Sequence, residues 1–216
     1  MLTKINIVCV LREGGKVGYD ASWVRKLKSA VERNVSIPHN FICLSDCEVP
    51  CDRILLDADG DGYWAKLQLF KPGIFNGPVL YIDLDTVICK NIDDIILSVT
   101  DQKFVMWYES DKDVHSSAMM WWNGDYSYLW DVYNSQSLDY WKELYPGGKL
   151  VGDQALISEN TDHRLFLEFC DPTWFHIVGK NDKNLNLDNV KILHFRKAHT
   201  KPSNQLDHEL VKAHWY

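Results

Sequence analysis

The sequence predicts an α/β fold with a mainly parallel sheet, in one domain spanning residues 1–216. Three observations predict it. Short apolar, β-branched runs recur at Lys4–Leu11, Phe41–Leu44, Arg53–Leu56 and Val79–Ile82, each the length of a buried strand. An amphipathic stretch with Val24, Leu27 and Val31 on one face separates the first two runs, giving the strand–helix–strand rhythm of a parallel sheet. The fourth run ends in acid, at Asp83 and Asp85.

After the first strand comes a loop with Gly14, Gly15 and Gly18, and Asp20 is placed to cap the helix that follows. Pro38 closes that segment, and Phe41–Leu44 stops at Ser45 and Asp46. Trp64–Phe70 reads as a short helix. Phe104–Tyr108 and Ala118–Trp122 read as further strands, Tyr126–Tyr133 and Asp153–Ser158 as helices, and Lys191–Phe195 as a late strand. Pro146-Gly147-Gly148 is a loop inside the domain. The polar tail after Pro202 is expected to wrap over the surface. No internal repeat, low-complexity stretch or linker interrupts the chain.

The 216 residues allow burial of about 70% of the unfolded surface, so the fold needs no disulfide or metal to hold it. The apolar fraction of 46% and charged fraction of 25% are those of an ordinary globular protein. A net charge of −7 argues against a polyanion as main partner. Of nine tryptophans, about two thirds are expected in the core or its rim. The N-terminus lacks the n-region, h-region and cleavage site of a secretory signal. No apolar run reaches membrane-span length, so the expected compartment is the cytoplasm. Cys43, Cys47 and Cys51 are evenly spaced by four, but they lack the C-x2-C pairs of zinc sites. Cys43 sits inside a strand, as a buried free thiol.

In α/β sheets, ligands bind beyond the carboxyl ends of the strands. Asp83 and Asp85 stand at such an end, and two residues apart in extended chain they project to the same side. Neighbouring carboxylates repel, and a divalent cation relieves that cost. Oxygen donors suit Mn2+ or Mg2+, and such an ion also binds a diphosphate. A D-x-D pair alone is also common as a solvated acidic turn.

Its surroundings make it more specific. Trp64-Ala65-Lys66-Leu67-Gln68-Leu69-Phe70, followed by Gly77-Pro78-Val79-Leu80-Tyr81-Ile82-Asp83-Leu84-Asp85-Thr86 and the N-I-D-D-I run Asn91 to Ile95, resembles glycosyltransferases of the glycogenin-like, galactosyltransferase-like type. The resemblance extends, in chain order, to Tyr19 with its helix, to Ser116-Ser117-Ala118-Met119-Met120-Trp121, to Gly152-Asp153-Gln154, and to Ile192-Leu193-His194-Phe195 with Lys201-Pro202. It implies the GT-A fold, a Rossmann-like mixed, mainly parallel sheet flanked by helices. The implied activity is metal-dependent transfer of a hexose from a nucleotide sugar, typically a UDP-sugar. The acceptor is a glycan, a protein or a modified DNA base.

The resemblance also implies roles. Asp83, Asp85 and His194 hold the metal. Val10, Tyr19, Asp46, Lys66, Asp83, Leu84, Ser117 and Lys201 bind the nucleotide sugar, with Tyr19 stacking on the base and Asp46 at its edge. Asp153 and Gln154 face the donor sugar, Gln154 beneath the ring in a retaining enzyme or Asp153 as base in an inverting one. Arg196 is a further candidate cation for the diphosphate. Three departures stand out. Ser116-Ser117-Ala118 replaces the family's Asn-Ser-Gly, Lys197 replaces a glycine, and Lys201-Pro202 falls one residue late, which makes His199 a rival to His194. Two other readings fit the same acids: a nucleotidyltransferase using the Arg12-Glu13-Gly14-Gly15-Lys16 loop, and a non-catalytic sugar- or nucleotide-binding protein of the same fold.

Overall fold

The computed structural model describes residues 4–14, 17–58, 62–109, 112–147, 150–178, 188–195, 201–204 and 208–216. Strand β1 (Ile5–Leu11) leads through helix α1 (Ala21–Asn34) to β2 (His39–Ser45) and β3 (Asp52–Leu55). A 3-10 helix, Gly62–Phe70, precedes β4 (Val79–Ile82), β5 (Val87–Ile88) and α2 (Asp93–Val99). Then come β6 (Phe104–Glu109), β7 (Val114–Trp122), α3 (Tyr128–Asn134), α4 (Leu138–Leu144), β8 (Pro146–Gly147), β9 (Leu150–Val151) and α5 (Gly152–Glu159). The chain continues with β10 (Arg164–Leu165), β11 (Phe175–Ile177), β12 (Ile192–His194) and α6 (Glu209–His214).

The main sheet has the order β10-β6-β7-β4-β1-β2-β3. Strand β1 lies parallel to β2 and β4, β2 parallel to β3 and β10 parallel to β6, whereas β7 runs antiparallel to both β4 and β6. The mixed sheet agrees with the fold class expected above. A second small sheet, β11-β12-β5, sets β12 beside the segment that follows the acids.

Alternation along each strand builds two cores, one on either face of the sheet. Ile5, Ile7, Leu80, Ile82, Val105 and Trp121 join α1 and α2 on one face. Val8, Val79, Tyr81, Phe104, Met106 and Trp122 meet the 3-10 helix, α3, α4 and α5 on the other. Every residue from Trp64 to Phe70 is buried, which is why that segment lacks an amphipathic stripe. Trp23, Trp64, Trp107, Trp121, Trp122 and Trp141 are buried, six of the nine tryptophans.

Asp20 caps α1 by accepting from the Ser22 amide at 2.8 Å. Strand β7 begins four residues before its expected start at Ala118, and the added turn of strand carries Ser116 and Ser117. The tail is not merely a polar wrap. In α6 Val211 is buried, and Trp215 meets Trp23 edge-on at 5.1 Å. Cys9, Cys43, Cys89 and Cys170 are buried and Cys47 and Cys51 half-buried, all as free thiols. Among the described residues no helix is long and apolar enough to cross a membrane.

Gly152 opens α5 at φ +43°, and a Cβ there would lie 1.9 Å from Cε2 of Tyr63. Both the backbone and the ring therefore demand glycine. Gly152→Ala is expected to cost about 2 kcal/mol or more. Adding Tyr63→Ala should recover the part due to the clash, so the double variant should be more stable than the two single losses predict. Urea unfolding of the four proteins measures this. Strict additivity would show that the ring is not what excludes a side chain there.

Candidate active site

The carboxyl ends of β1, β2, β4 and β6 and the start of antiparallel β7 meet at one edge of the sheet. A cleft of about 250 Å³ opens there. Asp83 comes from the end of β4, Glu109 from the end of β6, and Ser116, Ser117 and Ala118 from β7. Lys66 and Tyr63 come from the 3-10 helix, Asp153 and Gln154 from the first turn of α5, and His194, Phe195 and Lys201 from β12 and beyond.

The two acids of the D-x-D pair do not continue the strand. Strand β4 stops at Ile82, and the Thr86 amide donates to the Asp83 carbonyl at 3.1 Å, closing a turn. The side chains are therefore not paired on one side of an extended chain, as the spacing suggested. Each has its own cation. Asp83 accepts from the Tyr81 hydroxyl at 2.5 Å and pairs with Lys66 at 3.0 Å. Asp85 accepts from the Tyr19 hydroxyl at 2.7 Å and is ion-paired with Lys201. The turn separates the carboxylates, and two lysines relieve the repulsion.

Lys66 is not a surface lysine, despite its place on a helix before a strand. Its side chain is 8% exposed. The ammonium also pairs with Asp153 at 3.2 Å and donates to the Ser117 hydroxyl at 2.9 Å and carbonyl at 3.2 Å. The Ser117 hydroxyl donates to Asp153 at 2.6 Å. Burial opposes the charge on Lys66, but Asp153 and Asp83 outweigh it and raise its pKa above the usual lysine value. Burial raises the Asp153 carboxyl, and Lys66 offsets only part of that. Burial alone would raise Asp85 as well. The Lys201 ammonium, His194 and the Tyr19 hydroxyl reverse this and hold it below the usual carboxylate range.

Among the buried polar atoms in this region without a hydrogen-bond partner in the described residues are Asp85 Oδ1 and His194 Nδ1, with the indole nitrogens of Trp64 and Trp107. The other ring nitrogen of His194, Nε2, lies 3.6 Å from Glu109 Oε1. Unmet lone pairs on a buried carboxylate and a buried imidazole are costly, and they are the donor types a divalent ion takes. Asp85 and His194 therefore offer donor atoms of the kind a metal takes, with Asp83 on the other arm of the turn. As it stands, no three His, Cys, Asp or Glu groups among the described residues form a ready metal cluster. Lys201 occupies the other oxygen of Asp85.

Of the residues expected to bind donor or metal, Lys66, Asp83, Ser117, Asp153, Gln154, His194 and Lys201 line the one cleft. Asp85 lies behind it, joined through Lys201. Tyr19 reaches the site through Asp85, with its ring edge-on to Trp23 at 4.8 Å. Val10 is half-buried near the end of β1. Asp46, at the end of β2, accepts from the Glu13 amide at 2.9 Å and pairs with Arg12 at 3.3 Å. Neither Val10 nor Asp46 lines the cleft. The Leu84 side chain is packed in the core, so only its backbone can serve a ligand. Arg196 and His199 lie outside the described residues. Sequence reasoning missed Glu109, Lys112 and Tyr63, and noted Ser116 only as a departure from the family's asparagine. Glu109 carried a signal, since Phe104–Glu109 is a second apolar strand that ends in acid.

No protein-family model and no curated protein matches the chain. Solved structures do, and they define the class: this chain has the GT-A glycosyltransferase fold. The galactosyltransferase LgtC, solved with donor and acceptor sugar analogues, superposes with a TM-score of 0.59 at 12% identity, covering 98% of this chain and 96% of that one. The glycosyltransferase GlyE of Streptococcus pneumoniae TIGR4 gives a TM-score of 0.62 at 15% identity, over 94% of this chain and 57% of GlyE. The bifunctional glycosyltransferase WbbM gives 0.60 at 10% identity, over 93% of this chain and 47% of that one.

Proposed function

We propose that the chain is a metal-dependent glycosyltransferase that moves a hexose from a UDP-sugar to an acceptor hydroxyl. One observation carries the reading. Around a single cleft at the carboxyl edge of the sheet, two separated carboxylates each hold a lysine, and the deeper one and a nearby histidine each keep a buried polar atom without a partner among the described residues. A site that binds a sugar diphosphate needs this mixture of acid for a metal and cation for phosphate.

Asp83, Asp85 and His194 would hold Mn2+ or Mg2+, and the ion when bound supplies Lewis-acid stabilisation of the leaving diphosphate. Lys201, ion-paired with Asp85, is the cation within reach of that diphosphate. Lys66, Ser117 and Asp153 form a closed, buried network that fixes the wall beside Asp83. Asp153 is engaged by both Lys66 and Ser117, so its part is to position them rather than to take a proton from an acceptor. Gln154, the next residue, lines the cleft and is the member of the pair we assign to the sugar, as in a retaining enzyme. Catalysis rests on positioning and on charge placed where it develops.

The test is a thermal-shift panel of nucleotide sugars, each with and without Mn2+, followed by assay of the product. Binding to the native state alone raises the melting temperature. A UDP-hexose that stabilises the protein only with Mn2+, and that releases UDP, is the expected result. A panel with no metal-dependent shift, or release of free diphosphate in place of UDP, would overturn the proposal.

A further inference from the structure

The mouth of the cleft carries a group that the diphosphate chemistry does not use. Tyr63 lines the cleft and is 50% exposed. Among the described residues the other large apolar side chains that are exposed are Leu55, Leu97, Tyr128, Tyr140, Leu144 and Tyr216, and none of them lines it. An exposed tyrosine is ordinarily a mobile surface group. This one is held. Gly152 gives up its side chain so that the ring edge can lie against the α5 backbone. On its other flank the ring meets Trp64 at 5.7 Å, and Trp64 is itself buried and stacked on Tyr133 at 6.0 Å. A fixed aromatic face open to a polar cleft is thus built from two features of the local structure, a glycine with positive φ and a buried tryptophan.

Position decides what that face meets. Residues i and i+3 eclipse on a 3-10 helix, so Tyr63 and Lys66 share one face of Gly62–Phe70. Lys66 is buried against Asp83 and Asp153, and Tyr63 stands one turn further out. A donor sugar seated at Lys66 and Asp153 would therefore have Tyr63 on its solvent side, where the acceptor enters. The surrounding groups are Gln154, Ser116, Ser117 and Lys112, hydroxyls, an amide and an ammonium. A pyranose has an apolar C–H face and a rim of hydroxyls. The aromatic face suits the first and the polar groups suit the second.

We propose that Tyr63 is the stacking platform for the acceptor, that the acceptor is a saccharide, and that Gly152 is glycine in order to hold this ring. The proposal rests on the nucleotide-sugar reading for its sense of direction along the cleft. It assigns Tyr63 as a specificity-determining residue that acts on acceptor binding and leaves donor binding alone.

The experiment is saturation-transfer NMR with methyl α- and β-glucopyranoside, methyl α- and β-galactopyranoside and lactose, in the presence of UDP and Mn2+. Calorimetry measures UDP affinity on the same proteins. Wild type is expected to bind at least one saccharide through its ring protons. Tyr63→Ala should weaken that binding about tenfold or more, while Tyr63→Phe and Tyr63→Trp keep it within about threefold. UDP affinity should stay at wild-type values in all three variants, and each should remain folded, Tyr63→Ala with only the modest fall in melting temperature that loss of the packed ring brings. Saccharide binding unaffected by Tyr63→Ala would overturn the proposal. So would equal damage from Tyr63→Phe, a parallel loss of UDP affinity, or a wild-type protein that takes up no saccharide of the panel. A wild type that binds saccharide but no UDP instead fails the donor reading, so the two failures are distinguishable.

Discussion

Asp85→Asn is expected to lower turnover about a thousandfold while leaving the protein folded. The substitution keeps the shape and removes the charge. Asp85 is 3% exposed and accepts from Tyr19 and Lys201. An amide oxygen can still accept both bonds, but it cannot balance the lysine or hold a divalent ion with comparable strength. If the site works through a metal and a diphosphate, kcat should fall with the charge, and Mn2+ affinity should fall with it. Steady-state kinetics across a Mn2+ titration separate the two. An Asp85→Asn enzyme that reaches wild-type kcat, at any Mn2+ concentration, contradicts the assignment. The same substitution at Asp83 should cost less, because Asp83 is shared with Tyr81 and Lys66 and is partly exposed.

The second large effect is on stability. Lys66→Ala removes the one cation shared by Asp83 and Asp153 and leaves the Ser117 hydroxyl and carbonyl without their donor. Breaking a buried pair by deleting one partner costs about 3–5 kcal/mol, which for a chain of this size lowers the melting temperature by about 10 °C. The sign of its pH dependence follows from Asp153. Burial raises that carboxyl in the native state. Its contribution to stability is therefore present below the unfolded carboxylate pKa and is lost as pH rises through the native value. Without Lys66 the native value rises further, so the loss with pH is larger. The gap between variant and wild type should be small at about pH 4 and wide at about pH 7. Melting curves across that range measure it. A gap that does not change with pH would mean that lost packing of the lysine stem, rather than unpaired carboxylates, sets the cost.

Much of the frame could be read from sequence because strand periodicity is local. The apolar runs at Ile5–Leu11 and Val79–Ile82 became buried neighbours in the sheet. The helix capped by Asp20 followed from its apolar stripe. Helix α4 escaped notice because Trp141 is its one buried residue, while its other apolar side chains, Tyr140 and Leu144, are exposed and Leu138 only half-buried, so no apolar stripe marks it. Helix α6 was read as a polar tail because its anchoring depends on side chains distant in sequence: Val211 packs with Val87 and Leu193, and Trp215 meets Trp23 of α1.

The site divides the same way. Asp83 and Asp85 were visible because two acids at a strand end are a local signal. That they part company across a turn was not, because the partners that draw them aside, Lys66 and Lys201, come from a helix before the strand and a segment near the other end of the chain. The spacing of the two carboxylates pointed to a divalent cation between or beside them. Here lysines supply the positive charge, and Asp85 Oδ1 and His194 Nδ1 keep no hydrogen-bond partner among the described residues. Tyr63 has no sequence signature, because its significance comes from the missing side chain at Gly152.

The most direct test of the central claim is anomalous diffraction from crystals soaked in MnCl2 and UDP. The account predicts a manganese peak bounded by Asp83, Asp85 and His194, diphosphate density beside it, and Lys201 turned from Asp85 to the phosphate. UDP bound elsewhere, or no manganese at those acids while Lys201 stays on Asp85, would contradict it.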